Sequence, residues 1–310
     1  MRSNAAESVS VAGDTPNYPV LIFLEGLTGF RQMNTFQVEE LVSRGYIVVG
    51  IDQPGGAAAV FFPDGHHIAI TGLVQQVLAL NHQSVTPAAE PPQINGQAFK
   101  EGTIPYFAQD VSFALDQLVT INNADPKNIL TGKLDLEHTG VFGVSMGGMV
   151  SAEACLKDPR LKACLVMDVT MTADVVQQGL RQPSMWITRP AETMRLERQK
   201  SGGWAEKDIE EHQTRMRAVY NITACQAMAT SCRYPACSTL ISLTFHLDHQ
   251  SSRQLGSPGQ LVSSGRMTSS MRTRSRSSTN SSKASLAPLL DGPAPQFPEV
   301  LVETRRPGVK

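Results

Sequence analysis

Residues 139–150, TGVFGVSMGGMV, constrain the fold of this chain more than any other stretch. A short apolar run leads into a G-x-S-x-G motif in which Ser145 is flanked by Gly143 and Gly147, and the small residues that follow favour a helix. This strand–turn–helix context is typical of a nucleophilic serine on a strained turn, with the Met146 amide available to face an oxyanion. The alternative interpretation is a tight turn without chemistry.

Composition excludes several classes of function. The chain has 310 residues and a formal net charge of −1, which suits one large α/β domain and gives no electrostatic argument for nucleic acid. No apolar run approaches the roughly 20 residues that span a bilayer. The polar start predicts no signal peptide, so a cytoplasmic location is the default expectation, and a secreted one follows if the N-terminus is truncated.

The five cysteines have no metal-ligand spacing, and their odd number argues against a complete disulfide framework. We therefore expect no metal and no cofactor. The oligomeric state does not follow from the sequence.

Apolar runs alternate with segments of helical period, which predicts an α/β fold with a mostly parallel central sheet and helices on both faces. Strands are predicted at residues 19–24, 46–51, 139–144, 161–167 and 184–188. Helices are predicted from the cap Asn34 to before Gly45, and at residues 71–80, 106–122, 146–157 and about 205–220. The helix at 71–80 lies in a long insertion, residues 57–102, and is interpreted as a lid over the site.

The character of the chain changes after Tyr220, where Ser, Thr and Arg dominate. Such a composition cannot bury enough apolar area to offset its chain entropy. We therefore predict four parts, namely a disordered N-terminus (residues 1–17), an α/β core (18–221), a disordered Ser/Arg-rich segment (222–286) and an apolar C-terminal tail (287–310).

A catalytic serine needs an acid and oxyanion donors. Asp168 ends the strand at 161–167, at the edge where open α/β sheets place functional groups. The alternatives are that Asp168 caps the segment from Ala173, or that Asp174 is the acid. In the loop after the first strand, the amide of Leu27 is the second candidate donor, unless this loop is an ordinary βα turn.

The segments FLEGLTGFR, LVSRGYIVVGIDQP and FGVSMGGM, with the strand before Asp168, resemble the plasma-type platelet-activating-factor acetylhydrolases and related microbial lipases and esterases. This resemblance covers residues 18–220 and implies a Ca²⁺-independent serine esterase with an α/β-hydrolase fold. It implies Ser145 as nucleophile, Asp168 as acid, and the Leu27 and Met146 amides as oxyanion hole for a small ester or lipid-like substrate. The chain differs at Glu25, where relatives commonly carry His, and it lacks the strands that relatives carry before residue 19.

The base is missing from its expected place. Relatives carry the catalytic His in a segment of the type PGxFHxxF, and no such segment follows Tyr220. His246 and His249, in FHLDHQ, are the remaining candidates, although their surroundings lack a strand pattern. His212 is predicted to lie on a helix surface.

Codon degeneracy offers an explanation for the missing base. If the reading frame is shifted by one base from about Ala224, the permitted codons allow the sequence LPGDGYFVQVPGMFHF. In this shifted reading, the His codon overlaps the codons of Ser238 and Thr239. We hypothesise that about residues 222–286 are an out-of-frame translation. The competing interpretations are a non-catalytic scaffold that binds partners through its pocket or tail, and a genuine phosphorylatable Ser/Arg segment.

Overall fold

A computed structural model of the chain describes residues 5–94, 96–233 and 301–307. Its strands are β1 (Tyr18–Leu24), β2 (Ile47–Ile51), β3 (Ala59–Phe61), β4 (His67–Ala69), β5 (Gln93–Ile94), β6 (Gln97–Ala98), β7 (Leu134–Val144), β8 (Leu161–Met167), β9 (Ser184–Thr188), β10 (Ala229–Arg233) and β11 (Leu301–Arg305). Its helices are α1 (Thr35–Ser43), α2 (Val74–Val85), α3 (Ile104–Asn123), α4 (Met146–Lys157), α5 (Ala173–Gln178), α6 (Ala191–Ser201) and α7 (Glu206–Gln226).

The central sheet has seven strands in the order β11-β10-β9-β8-β7-β1-β2. Each neighbouring pair is parallel except β10 and β11, which are antiparallel. β1 and β2 are adjacent and joined by α1, which is the predicted βαβ unit. The predicted α/β class with a mostly parallel sheet is therefore confirmed.

Alternate residues of β1 pack into two different cores, because successive side chains of a strand point to opposite faces. Ile22 and Leu24 belong to the larger core, which includes residues of α3 and α4. Phe23 belongs to the second core with Leu41 of α1, and its ring centroid lies 5.2 Å from that of Phe142. Helices thus cover both faces of the sheet, as predicted.

Several elements have the predicted bounds, namely α4, β8 and β9. Other local predictions differ from the structure. β7 begins at Leu134, five residues before the predicted strand. β2 was expected to be buried on both faces, but four of its five residues are half-buried and one is exposed, because it is the edge strand. The Asn34 side chain does not cap α1, since its amide donates to Gln37 Oε1 at 2.9 Å.

The insertion at residues 57–102 contains more structure than the sequence predicts. The expected helix begins later, at Val74, and continues to Val85, and the hairpins β3–β4 and β5–β6 flank it. Ser84 fixes its C-terminal end, because the hydroxyl donates to Glu101 O (2.7 Å) and accepts from Ile104 N (3.2 Å).

The predicted domain boundary between residues 221 and 222 falls inside α7, which continues to Gln226. Residues 222–233, predicted to be disordered, instead complete this helix and form β10 beside β9. Composition does not reveal the contacts that order these residues. Thr223 is buried and its hydroxyl accepts a hydrogen bond from Leu180 N (2.9 Å). β10 pairs with β9 through backbone groups. Residues 234–286 lie outside the described residues.

The two end segments of the described chain differ in structure. In the predicted C-terminal tail, Leu301–Arg305 is strand β11. Residues 5–17 contain no helix or strand in the described part, and the Tyr18 hydroxyl donates to Ala12 O at 2.9 Å. Among the described residues, no helix is both long and apolar enough to cross a membrane.

Candidate active site

Ser145 lies at the turn between β7 and α4, as the motif predicts. Its backbone has φ 54° and ψ −126°, a conformation that favours glycine. The turn is fixed to the sheet, because Ser145 N donates to Met167 O at 2.9 Å. Ser145 is half-buried, whereas the residues on both sides of it are buried, and it lies at the carboxyl edge of the sheet.

The two glycines of the motif are required by close backbone approach. A Cβ atom on Gly147 would lie 2.3 Å from Leu24 O, and one on Gly143 would lie 2.3 Å from Gly147 O. Because backbone atoms at those distances cannot move aside easily, only glycine fits both positions. The sequence therefore folds into this turn for the steric reason that the motif predicts.

The loop after β1 runs directly beside Ser145. A Cβ atom on Gly26 would lie 3.2 Å from Ser145 Cβ and 3.8 Å from its Oγ. Within this loop Thr28 N donates to Gly56 O at 2.8 Å, whereas the Leu27 N–H donates to no other described residue. The Met146 N–H, at the first position of α4, has no partner within that helix. Both predicted donors thus belong to segments that adjoin Ser145, and neither N–H is used by the described fold.

Asp168 follows β8 directly and has a positive φ of 54°. Its side chain is buried, and its backbone N donates to Ile187 O at 2.8 Å. It does not cap α5, because Thr172 occupies that cap and its hydroxyl accepts from Val175 N. The other candidate acid, Asp174, lies in the first turn of α5.

Arg189 is a site residue that the sequence analysis missed. It follows β9, and its Nε lies 2.5 Å from Asp168 Oδ1. The same guanidinium pairs with Glu197 of α6 and lies 5.5 Å from the centroid of the Trp204 ring. The sequence signal that could have identified Arg189 is its position directly after a predicted strand, at the same edge of the sheet as Asp168.

His212 does not lie on a surface, contrary to the prediction. It is 5% exposed, and its Nδ1 has no hydrogen-bond partner among the described residues. Burial and the nearby Arg189 charge lower the pKa of His212 to about 4, while the Asp168 charge acts in the opposite direction. Its imidazole is therefore neutral at pH 7.

The side-chain hydrogen bonds of histidine rings in residues 5–94, 96–233 and 301–307 join His66 to Asp64 and His138 to Asp135. The candidate bases His246 and His249 lie outside the described residues. Nor do the described residues include a group of three or more His, Cys, Asp or Glu side chains that could hold a metal ion.

Glu25, at the position where the resemblance implies a histidine before Gly26, is a fully buried carboxyl group. Its Oε1 accepts a hydrogen bond from Gln53 N at 3.0 Å, and its Oε2 has no partner among the described residues. Burial raises the pKa of Glu25 to about 7, and the negative charge of Asp52 adds to this effect. The Glu25 carboxyl thus bonds the loop after β1 to the turn after β2.

The family of this chain can be identified by comparison with known sequences. The model of the family described as platelet-activating factor acetylhydrolase, isoform II, matches residues 2–198. The chain belongs to this family. The resemblance inferred from the motifs is therefore confirmed.

Two curated relatives are platelet-activating factor acetylhydrolases. The one from Canis lupus familiaris is 26% identical over 184 residues, and the one from Cavia porcellus is 25% identical over 193 residues. In each case the match covers 55% of this chain and 39% of the relative, so the chain spans about two fifths of the length of these acetylhydrolases.

A solved structure, the ferulic acid esterase from Streptomyces cinnamoneus, shares the fold. It superposes with a TM-score of 0.60 over 94% of this chain and 74% of that chain, at 19% sequence identity. At this identity the likeness concerns the fold alone. The parallel sheet, the serine at the β7–α4 turn and this neighbour together identify an α/β-hydrolase fold.

Proposed function

We propose that this chain carries the site of a serine carboxylic-ester hydrolase of the acetylhydrolase and lipase type, acting through an acyl-enzyme on Ser145. The observation that carries the proposal is the conformation of Ser145, with φ 54° beside Gly26. A side chain in such a conformation costs about 1–3 kcal/mol. A turn without chemistry would gain nothing by placing serine there instead of glycine.

Each residue has a stated role in this proposal. Ser145 Oγ attacks the carbonyl carbon of a small ester or lipid-like substrate, and the carbonyl oxygen becomes an oxyanion. The N–H groups of Leu27 and Met146 donate hydrogen bonds to it. The base takes the proton of Ser145 and gives it to the leaving alcohol as the ester C–O bond breaks, so that the acyl group stays on Ser145. Asp168 orients the base and stabilises its charged form. Water, activated by the same base, then attacks the acyl carbonyl and releases the acid from Ser145.

Catalytic turnover by this chain depends on the presence of a base. Without a base, Ser145 is a weak nucleophile and acylation falls by orders of magnitude. If residues 234–286 are genuine, His246 or His249 is the base that remains available. If they are out of frame, the base is encoded in the shifted reading.

The position of β10 supports the out-of-frame hypothesis. β10 lies between β9 and β11 and consists of the residues ATSCR, which include little apolar area for an inner strand. The shifted reading places YFVQV at the same positions, a sequence with the aromatic and β-branched residues that strands prefer. The His of the shifted reading then follows this strand, where the family carries its base.

One observation favours a second candidate function, a non-catalytic α/β-hydrolase scaffold that binds partners. Arg189 engages Asp168 Oδ1, where a triad would place the N–H of its base. As written, the chain could retain the pocket and the oxyanion donors without turnover.

Hydrolysis of a chromogenic short-chain ester tests these proposals. We expect the chain as written to give at most a trace of turnover, and a chain in which codons 222–286 carry the shifted reading to give clear hydrolysis. Ser145→Ala in the restored chain is the matched control and should abolish it. Strong Ser145-dependent turnover by the unmodified chain would refute the out-of-frame hypothesis and assign the base to His246 or His249.

The coding DNA across codons 220–290 separates the hypotheses directly. A single-base insertion or deletion near each end of the segment supports an out-of-frame translation. Two independent DNA reads that match the present frame would instead support a genuine Ser/Arg segment.

A further inference from the structure

We propose that Glu25 is a positioning residue of the loop that carries the Leu27 amide: its protonated carboxyl ties this loop to the turn after β2, and the tie is lost when Glu25 ionises. The inference rests on the proposed function only where it concerns the oxyanion. The tie itself is a property of the fold and is tested separately below.

Glu25 stands at the junction of three segments of the site. It follows β1, it precedes Gly26 beside Ser145, and its backbone O would lie 2.4 Å from a Cβ atom on Gly147. Its main chain is therefore pressed against the start of α4. Any displacement of Glu25 would move the loop relative to Ser145 and the Met146 amide.

The side chain of Glu25 reaches across to a neighbouring loop. Oε1 accepts from Gln53 N at 3.0 Å, and Gln53 in turn donates through Nε2 to Phe107 O (2.9 Å) and Asp110 Oδ2 (3.1 Å) of α3. One carboxyl group thus links the loop after β1 to the turn after β2 and, through that turn, to α3.

The surroundings of the Glu25 carboxyl group favour its neutral, protonated form. A buried carboxylate needs several donors, yet Glu25 Oε2 and Gln53 Oε1 both lack partners among the described residues. A proton on Glu25 supplies the donor that this cluster lacks. Ionisation would instead leave a buried negative charge held only by backbone N–H groups, those of Gln53 and of Glu25 itself.

The surrounding charges also favour the neutral form. Arg31, in the same loop, acts in the opposite direction and lowers the pKa of Glu25, but it pairs with Asp52, which also accepts from Arg31 N at 2.5 Å. The Asp52 charge raises the pKa of Glu25 by more than the Arg31 charge lowers it. From α3, Asp110 joins this cluster through Gln53, and burial raises the pKa of Asp110 as well. The first residues of α4, MGGM, bring no charge.

Amide hydrogen exchange of the peptide covering residues 25–31 tests the tie in the full chain. Protection, corrected for intrinsic exchange, is compared at pH 6 and pH 8 in the wild type, in Glu25→Gln and in the control Glu40→Gln on α1. With the pKa of Glu25 at about 7, the ionised form exceeds the neutral one about tenfold at pH 8, so protection should fall about tenfold in the wild type and in the control. Glu25→Gln, which cannot ionise, should show no fall.

A fall of equal size in Glu25→Gln would overturn the proposal. If that variant does not fold, constant protection between pH 6 and pH 8 in the wild type alone would overturn it. A second arm follows phosphonylation of Ser145 by a fluorophosphonate, detected by mass spectrometry. We expect its rate to decline above pH 7 in the wild type relative to Glu25→Gln. If Ser145 is never labelled, either in the chain as written or in the chain that carries the shifted reading of codons 222–286, while the exchange results hold, the proposed function fails and the tie stands.

Discussion

Arg189 Nε lies 2.5 Å from Asp168 Oδ1, and both side chains are almost fully buried. The two residues follow the neighbouring parallel strands β8 and β9, whose carboxyl ends meet at one edge of the sheet. Arg189 also pairs with Glu197. The carboxylate proposed as the acid of the site is thus held by a buried cation, and removal of that cation should have a large effect.

We expect Arg189→Met to lower the free energy of unfolding by about 3–5 kcal/mol, because it removes a buried cation that pairs with the buried Asp168 carboxylate. Urea denaturation at pH 7 measures this loss. Arg195→Met is the matched control, since Arg195 pairs with Glu206 but is 40% exposed, and its loss should lower the free energy of unfolding far less. Equal losses in the two variants would show that the buried pair contributes no more than a surface pair.

The backbone conformation of Ser145 predicts a difference in stability between two variants at this position. Ser145→Gly should be more stable than Ser145→Ala by about 1 kcal/mol, because glycine adopts φ 54° without strain and alanine does not. Neither variant has the hydroxyl, so the comparison isolates the backbone. Thermal unfolding of the two variants measures the difference. If alanine is as stable as glycine, the turn is not strained and the main support for the proposed function is lost.

Most of the sheet could be predicted from the sequence because its strands are continuous apolar runs ended by glycine or polar residues. The predicted positions of β8, β9 and α4 agree with the structure residue by residue. The turn at Ser145 could be predicted for a different reason. Its spacing of glycines reflects a steric requirement that is local in the chain.

The contacts of Asp168 could not be predicted, because they depend on how separate segments meet. Nothing in the local sequence of Arg189 or His212 shows that both are buried near Asp168. α6 was missed because only Met194 of its residues is buried, which leaves almost no apolar periodicity. β10 was missed because its pairing with β9 is formed by the backbone and is independent of composition.

The free energy of unfolding should depend on pH through Glu25. Its pKa is raised from 4.5 to about 7 in the folded chain, so the folded state binds more protons than the unfolded state between these values. Stability from this group is therefore present below about pH 4.5 and is lost as the pH rises through 7. A shift of about 2.5 units corresponds to about 3 kcal/mol.

Glu25→Gln should abolish that part of the pH dependence and be the more stable protein at pH 8. Urea denaturation at pH 5, 6, 7 and 8 provides the comparison, with Glu40→Gln as the variant that should retain the wild-type slope. Parallel curves for the wild type and Glu25→Gln would mean that Glu25 is already ionised, or accessible to water, in the folded chain.

Limited proteolysis should distinguish residues 222–233, which form helix and strand, from the Ser/Arg-rich segment that follows them. Residues 222–233 belong to α7 and β10, whereas disorder of residues 263–283 remains a prediction from composition. Trypsin should therefore cut first after Arg266, Arg272, Arg274 or Arg276, and only later after Arg215 or Arg217 within α7. Mass spectrometry of the early fragments identifies these sites. Early cleavage within α7 would contradict the helix, and strong protection of residues 263–283 would contradict the predicted disorder and, with it, one argument for an out-of-frame segment.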